Sequence, residues 1–304
     1  MKIVTLDIKN GQISLVSTPT PEIINDQVLI KSEKSLISLG TEKMLIDFGR
    51  SSYLNKALKQ PKRVAQVINK ISTDGIFPTY EAVKNKLNEP LQLGYSNYGV
   101  VIESKCKEFD VGDKVISNGP HSEFFSASKN LVAKVPDNIE PSQASFTVLA
   151  SIGLQGIRLM SPMIGETVVV YGLGVIGLLS SQILKANGCN VIGIDIDENK
   201  CHLARKLDIN ALNIGDKDLL IREIMRQTNE YGADSILITA KTDTNDVIKN
   251  SANMCKKSGK VILIGDVGLN LDRNDFYEKE ISFQVSSSYG PGRYDYAYEE
   301  KNID

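Results

Sequence analysis

Val168-Val169-Val170-Tyr171-Gly172-Leu173-Gly174-Val175-Ile176-Gly177 decides the fold of this chain: an apolar run turns through three glycines into a second apolar stretch. The run reads as a strand buried on both faces, and the residues after it read as a helix. Each glycine in the GxGxxG spacing has a mechanical task. Gly172 permits the tight turn, Gly174 lets the backbone approach a pyrophosphate with no side chain between, and Gly177 lets the helix lie close on the strand. The helix N-terminus then presents free N–H groups and the positive end of its dipole.

Glycine-rich turns also occur where nothing binds, so the context carries the argument. The helix stops at Asn187-Gly188, a strand follows, and Asp195 closes it. That places a carboxylate about 20 residues downstream, where it accepts hydrogen bonds from an adenosine ribose. A loop carboxylate that merely faces water is the alternative, and it leaves the strand–turn–helix–strand order unexplained. A charged Asp195 repels the added phosphate of NADP, and Lys200 nearby is too small a counterweight. NAD is therefore the expected cofactor, held by Gly172, Leu173, Gly174, Val175, Ile176, Gly177 and Asp195.

Working outward, the chain from about Glu140 alternates strand and helix, the pattern of a parallel sheet covered on both faces. Strands are expected at Thr167 to Tyr171, Val191 to Ile194, Ala211 to Asn213, Ser235 to Thr239, Val261 to Ile264 and Ile281 to Val285. That count matches a doubly wound α/β domain with a six-stranded parallel sheet. Upstream, Lys2-Ile3-Val4-Thr5-Leu6, Gln27 to Lys31, Leu91 to Val101 and Lys114 to Ile116 alternate as short strands divided by turns, which suggests a small barrel closing by about Val135-Pro136. Between them, Val64, Val67, Ile68 and Ile71 recur at helical spacing behind Pro61, predicting a helical insertion over about 50–88. The expected domains are 1–139, 140–287 and a short segment 288–304.

With 304 residues and 41% hydrophobic side chains, two cores can be filled. A balance of 35 basic against 37 acidic residues leaves a formal charge of -2, no field to draw in nucleic acid or anionic lipid. No stretch approaches a membrane span, and the N-terminus lacks the basic start and apolar run of an export signal. Cys106, Cys189, Cys201 and Cys255 include no CxxC pair, so they read as reduced thiols in a cytoplasmic setting. The two histidines, His121 and His202, cannot build a site that needs several imidazoles.

The barrel-like half, the glycine-loop half and their order resemble the medium-chain dehydrogenase/reductase family along essentially the whole chain. Ser35-Leu36-Ile37-Ser38-Leu39-Gly40-Thr41-Glu42, Gly94-Tyr95-Ser96-Asn97-Tyr98-Gly99, Gly265-Asp266-Val267-Gly268-Leu269-Asn270 and Ser288-Tyr289-Gly290-Pro291-Gly292-Arg293-Tyr294-Asp295 are similar to the N-terminal module of bi-domain oxidoreductases. In those proteins such a module precedes one of the Gfo/Idh/MocA type. The resemblance implies a GroES-like β-barrel domain beside a Rossmann domain, a homodimer, and a downstream module of that type as a partner. It also implies that residues 288–304 begin a return to the substrate domain, with the chain ending at Asp304 before that return is complete.

The resemblance is informative where it fails. Zinc alcohol dehydrogenases carry Cys-Gly-Thr-Asp where this sequence has Leu39-Gly40-Thr41-Glu42, and Gly-His-Glu where it has Gly94-Tyr95-Ser96. Leucine and an ordinary tyrosine do not replace a thiolate and an imidazole on zinc, so no metal is expected. Some other group must then polarise the carbonyl and handle the proton during hydride transfer. Tyr95, in place of the ligand histidine, is the first candidate, beside the reading of a packed aromatic that fills the metal's space. Thr41 matches the hydroxyl that relays protons in zinc enzymes, and Ser38 is close in sequence. Arg293 is a candidate grip for a substrate carboxylate or phosphate, or else an ion-pair partner of Glu299 or Glu300. His121 reads more readily as part of a local hydrogen-bond network than as a catalyst, and His202 as a solvated helix residue.

The leading function is a zinc-independent dehydrogenase or carbonyl reductase that uses NAD(H); a polar, sugar-like substrate is what the resemblance alone implies. An NADPH-dependent quinone or enoyl reductase and a non-catalytic nucleotide-binding module are the alternatives.

Overall fold

The computed structural model describes residues 1–51 and 89–293, with Asp295 and Tyr298. Beyond Ser51 the expected helical insertion lies outside the described residues. The chain divides into two compact units, Met1–Val148 and Leu149–Asp304. The short helix α2 (Pro141–Ala144) groups with the first, where Ser96 Oγ donates to the carbonyl of Ser145 at 2.6 Å.

The first unit is built from antiparallel strands. In one sheet β1 (Lys2–Asp7) pairs with β2 (Gln12–Ser17) and with β4 (Leu91–Gln92). In the other the order is β7-β3-β5-β6-β8, with β3 at Gln27–Ser35, β5 at Asn97–Ser104, β6 at Lys114–Ser117, β7 at Phe124–Ser128 and β8 at Val132–Lys134. An isolated bridge from Ile3 to Ser122 links the two sheets. Alternation sends Val28, Ile30, Val101, Val115 and Phe125 to one interior, where Phe109 joins them.

The strand expected over Leu91 to Val101 is interrupted. Leu93 to Ser96 leaves the ladder, and Gly94 takes φ +93°, a backbone state only glycine adopts at no steric cost. This break lifts Tyr95 out of the sheet. Helix α1 (Thr41–Arg50) follows the loop after β3.

The second unit carries the six parallel strands foreseen, in the order β11-β10-β9-β12-β13-β14. Their ranges are β9 Thr167–Tyr171, β10 Asn190–Ile194, β11 Asn210–Leu212, β12 Ala233–Ile238, β13 Cys255–Leu263 and β14 Ser282–Val285. Read from the first strand of the unit, this is the doubly wound order 3-2-1-4-5-6, with a switch point between β9 and β12. Val169 packs into one core cluster, Val168 and Val170 into another on the opposite face. That explains why the strand is apolar throughout rather than alternating. Helix α4 (Val175–Ala186) crosses from β9 to β10, after α3 (Thr147–Met160). Among the described residues no helix is long and apolar enough to cross a membrane.

Candidate functional site

The glycine loop joins β9 to α4 at the carboxyl end of the sheet, beside the switch point. Gly172 has φ +108°, and a Cβ on it would stand 2.6 Å from the Ala240 nitrogen. A Cβ on Gly177 would lie 1.9 Å from the Gly172 carbonyl oxygen, so helix and loop touch there through bare backbone. Gly174 differs: it caps α4 without a side-chain hydrogen bond, and a Cβ on it would meet nothing within 4 Å. The loop is thus tight where it packs on the protein and open at the helix N-terminus that starts with Val175 and Ile176. These features fit a dinucleotide pyrophosphate.

Asp195 is buried just beyond the end of β10. Its Oδ2 accepts from the Leu173 N–H at 2.8 Å and its Oδ1 from the Asp197 N–H at 2.9 Å. Lys200 Nζ lies 3.4 Å from Oδ2. The carboxylate therefore serves the protein as well as any ribose, because it holds the glycine loop against β10. Leu173 contributes that anchor and a fully buried side chain rather than a free donor. Thr239, which sequence reasoning did not single out, props the same loop from just beyond the end of β12 by donating its hydroxyl to the Gly172 carbonyl at 2.6 Å.

In the first unit the loop before α1 and the break before β5 bring a set of polar side chains together. Tyr95 donates its phenolic proton to Ser38 Oγ at 2.7 Å. With that proton engaged, the 3.3 Å contact to Thr41 Oγ1 has the threonine as donor. Ser38 is buried, Tyr95 half-buried and Thr41 exposed. Glu42, buried, and His121, half-buried, form a pair, Oε2 to Nε2 at 3.0 Å. His121 thus joins a local network, the reading favoured for it. Glu42 was not foreseen; its acidic side chain in the first turn of α1 was the one local hint.

This donor set does not fit zinc. Leu39 is 73% exposed and offers only methyl groups, Ser96 Oγ is committed to the Ser145 carbonyl, and Tyr95 is committed to Ser38. Glu42 and His121 supply two ligand types, engaged with each other, and among the described residues no group of three or more His, Cys, Asp or Glu can hold a metal ion. Nor is a thiolate available in the second unit: burial pushes the thiols of Cys189 and Cys201 up, and that of Cys255 to about 12.

Arg293 closes a short 3₁₀ turn, Pro291–Arg293. Its foreseen partners Glu299 and Glu300, like Tyr294, lie outside the described residues. The segment before it sits against α3, where a Cβ on Gly290 would meet Gln155 Oε1 at 2.3 Å. His202 lies on helix α5 (Glu198–Lys206) and faces solvent.

Residues 175–301 match the family model described as zinc-binding dehydrogenase. An alcohol dehydrogenase of Geobacillus stearothermophilus is 25% identical over 253 residues, 69% of this chain and 73% of that protein. The D-guloside 3-dehydrogenase of Escherichia coli is 34% identical over 156 residues, 49% of this chain; the chain spans only 44% of that relative. Among solved structures, galactitol-1-phosphate dehydrogenase from Escherichia coli superposes with a TM-score of 0.73 at 18% identity, covering 95% of this chain and 83% of its own. The family match over residues 175–301, these sequence relatives, the 3-2-1-4-5-6 sheet and the antiparallel first unit agree in the family they point to, and the chain is similar to the medium-chain dehydrogenases/reductases.

Proposed function

We propose that the protein is a zinc-independent oxidoreductase that transfers a hydride between NAD(H) and an alcohol or its carbonyl, on a polar, sugar-like substrate. The observation that carries this reading is the Tyr95 hydroxyl, held between Ser38 and Thr41 in a cluster that lacks a metal's donor set. The nicotinamide cofactor, when bound, supplies or takes the hydride. Gly174, Val175 and Ile176 bind its pyrophosphate through backbone N–H groups and Asp195 takes the ribose hydroxyls, with Gly172, Leu173 and Gly177 shaping the loop. Tyr95 is the group that gives the proton to the nascent alkoxide or removes it from the alcohol, and Thr41 donates to its oxygen as the proton leaves. Arg293 is proposed as a grip for an anionic substituent. The sugar-like class is supported by two of the proteins it resembles, whose names place them on a guloside and on a polyol phosphate. A homodimer through the exposed edge strand β14, a cytoplasmic setting and a Gfo/Idh/MocA-type module downstream belong to the same reading.

Two measurements test it. NADH should bind more tightly than NADPH by roughly tenfold, about 1.4 kcal/mol, because the Asp195 carboxylate repels a second phosphate. Asp195→Asn, which keeps an acceptor for the Leu173 N–H, should narrow that gap and leave Lys200 free to favour NADPH. Equal or tighter NADPH binding by the unaltered protein would sink the cofactor assignment. Elemental analysis after dialysis should find zinc far below one per chain, and oxidation of NADH with a panel of ketoses, aldehydes and small ketones should proceed in the presence of a chelator. One tightly held zinc, or activity abolished by chelation, would overturn the metal-free mechanism.

A further inference from the structure

We propose that Glu42 and His121 are positioning residues: a carboxylate–imidazole clamp that fixes the segment from Ser35 to Ser38 and, through Ser38 Oγ, the place of the Tyr95 hydroxyl. The inference rests on the proposed function, since it concerns how the same hydroxyl is held.

The clamp grips that segment at both ends. His121 Nδ1 lies 2.8 Å from Ser35 Oγ, and Glu42 Oε1 accepts from the Ser38 N–H at 2.7 Å. The two gripping groups join each other through Nε2 and Oε2, with side chains only 10% and 6% exposed. An ionised carboxylate only accepts, so the proton between them sits on Nε2 in either charge state of the ring. A carboxylate this buried needs such partners, and it has a backbone N–H on one oxygen and an imidazole on the other.

The same imidazole also presses on the chain that carries Tyr95. A Cβ on Gly94 would stand 2.6 Å from the His121 backbone nitrogen, 2.7 Å from its ring carbon Cγ and 2.8 Å from Nδ1, so backbone and ring of His121 lie against the residue directly before the tyrosine. Backbone bonds stitch the segments at these points: His121 N–H to the Leu93 carbonyl at 2.8 Å and Leu36 N–H to the Ser96 carbonyl at 2.9 Å. Glu42 thus fixes the acceptor of the Tyr95 proton while His121 fixes the peptide that bears its donor. A pair that served only to bury itself has no reason to end on both. Its product is a phenol oxygen held at one point between Ser38 and Thr41, with its proton resting on Ser38 until a substrate oxygen takes Ser38's place as acceptor.

The test uses the full chain labelled with tyrosine carrying 13C at the ring carbon bonded to oxygen, the Tyr95 signal being assigned with Tyr95→Phe. Ser38→Ala should move that signal. Glu42→Gln and His121→Gln should each move it in the same direction, other tyrosine signals staying in place and the far-ultraviolet dichroism remaining native. If either Gln variant fails to fold, the other decides. A Tyr95 signal that Ser38→Ala moves and the folded Gln variants leave at its native position overturns the clamp. Where the ketose and aldehyde panel gives turnover, both Gln variants should lower kcat by about 10- to 100-fold with KM for NADH unchanged. Neither should lower it further in a Ser38→Ala background, and additive losses in the double variants would overturn the proposed route. A native protein inert on every compound would count against the proposed oxidoreductase function, while the tyrosine signal would still judge the clamp.

Discussion

Gly174→Ala should leave the protein folded and nearly as stable as before, yet weaken NADH binding by at least roughly tenfold, about 1.4 kcal/mol. Gly177→Ala should do the reverse damage first, costing about 3 kcal/mol of stability before cofactor is added. The two positions are neighbours in one motif, and the difference comes from what each would touch. At Gly174 φ is -70° and ψ -174°, open to any residue, and nothing stands within 4 Å of a new methyl group. Alanine is a poorer N-cap than glycine, a loss below about 1 kcal/mol. The methyl group would instead occupy the space through which a pyrophosphate approaches the backbone. At Gly177 the methyl group would collide with the Gly172 oxygen at 1.9 Å and approach Thr239 Oγ1 at 2.8 Å, so helix, loop and strand must separate. For a unit of this size that cost corresponds to a melting shift of roughly 6–12 °C. Thermal melts and NADH fluorescence titrations read the two effects separately. If Gly174→Ala binds NADH like the parent, the open face of the loop is not where the cofactor lies.

The asymmetry shows how far the sequence could be read. The glycine loop is legible because its parts are contiguous: an apolar run, a spacing and a following helix occupy one short stretch, and each glycine answers to local geometry. Asp195 was legible as a carboxylate at a strand end, but its bond to Leu173 spans 22 residues and depends on β9 and β10 lying side by side. Nothing local announces it. The Glu42–His121 pair is harder still, since its members stand 79 residues apart and meet only after β3, α1 and the chain before β7 have packed. Leu91 to Val101 read as one strand because its side chains suit a pleated surface throughout; the break at Gly94 is set by a backbone angle and by the imidazole pressed on it. Sequence periodicity reports burial one segment at a time, whereas a polar cluster is a property of several segments meeting.

Tyr95→Phe should lower kcat by about 10²- to 10³-fold while leaving NADH affinity and the melting temperature close to native. The stability side follows from the contacts. The ring stays, so its packing stays, and the lost hydroxyl gives up a bond to Ser38 and a longer one from Thr41, about 1 kcal/mol each at most. Thr41 is exposed and turns to water, so the cost falls on the buried Ser38. The catalytic side follows from the absence of a substitute in this cluster: Ser38 and Thr41 hydroxyls are far weaker acids than a phenol, and the imidazole of His121 is engaged by Glu42 and Ser35. Thr41→Val provides the scale. It removes only the donor that steadies the phenol oxygen, so its loss should be smaller, nearer tenfold, and should vanish when combined with Tyr95→Phe. Steady-state kinetics with the best substrate of the panel, with NADH binding measured in parallel, separates the outcomes. A Tyr95→Phe protein that turns over at the native rate would mean the tyrosine merely fills the space a metal takes elsewhere in the family, and the proton would have to come from another group.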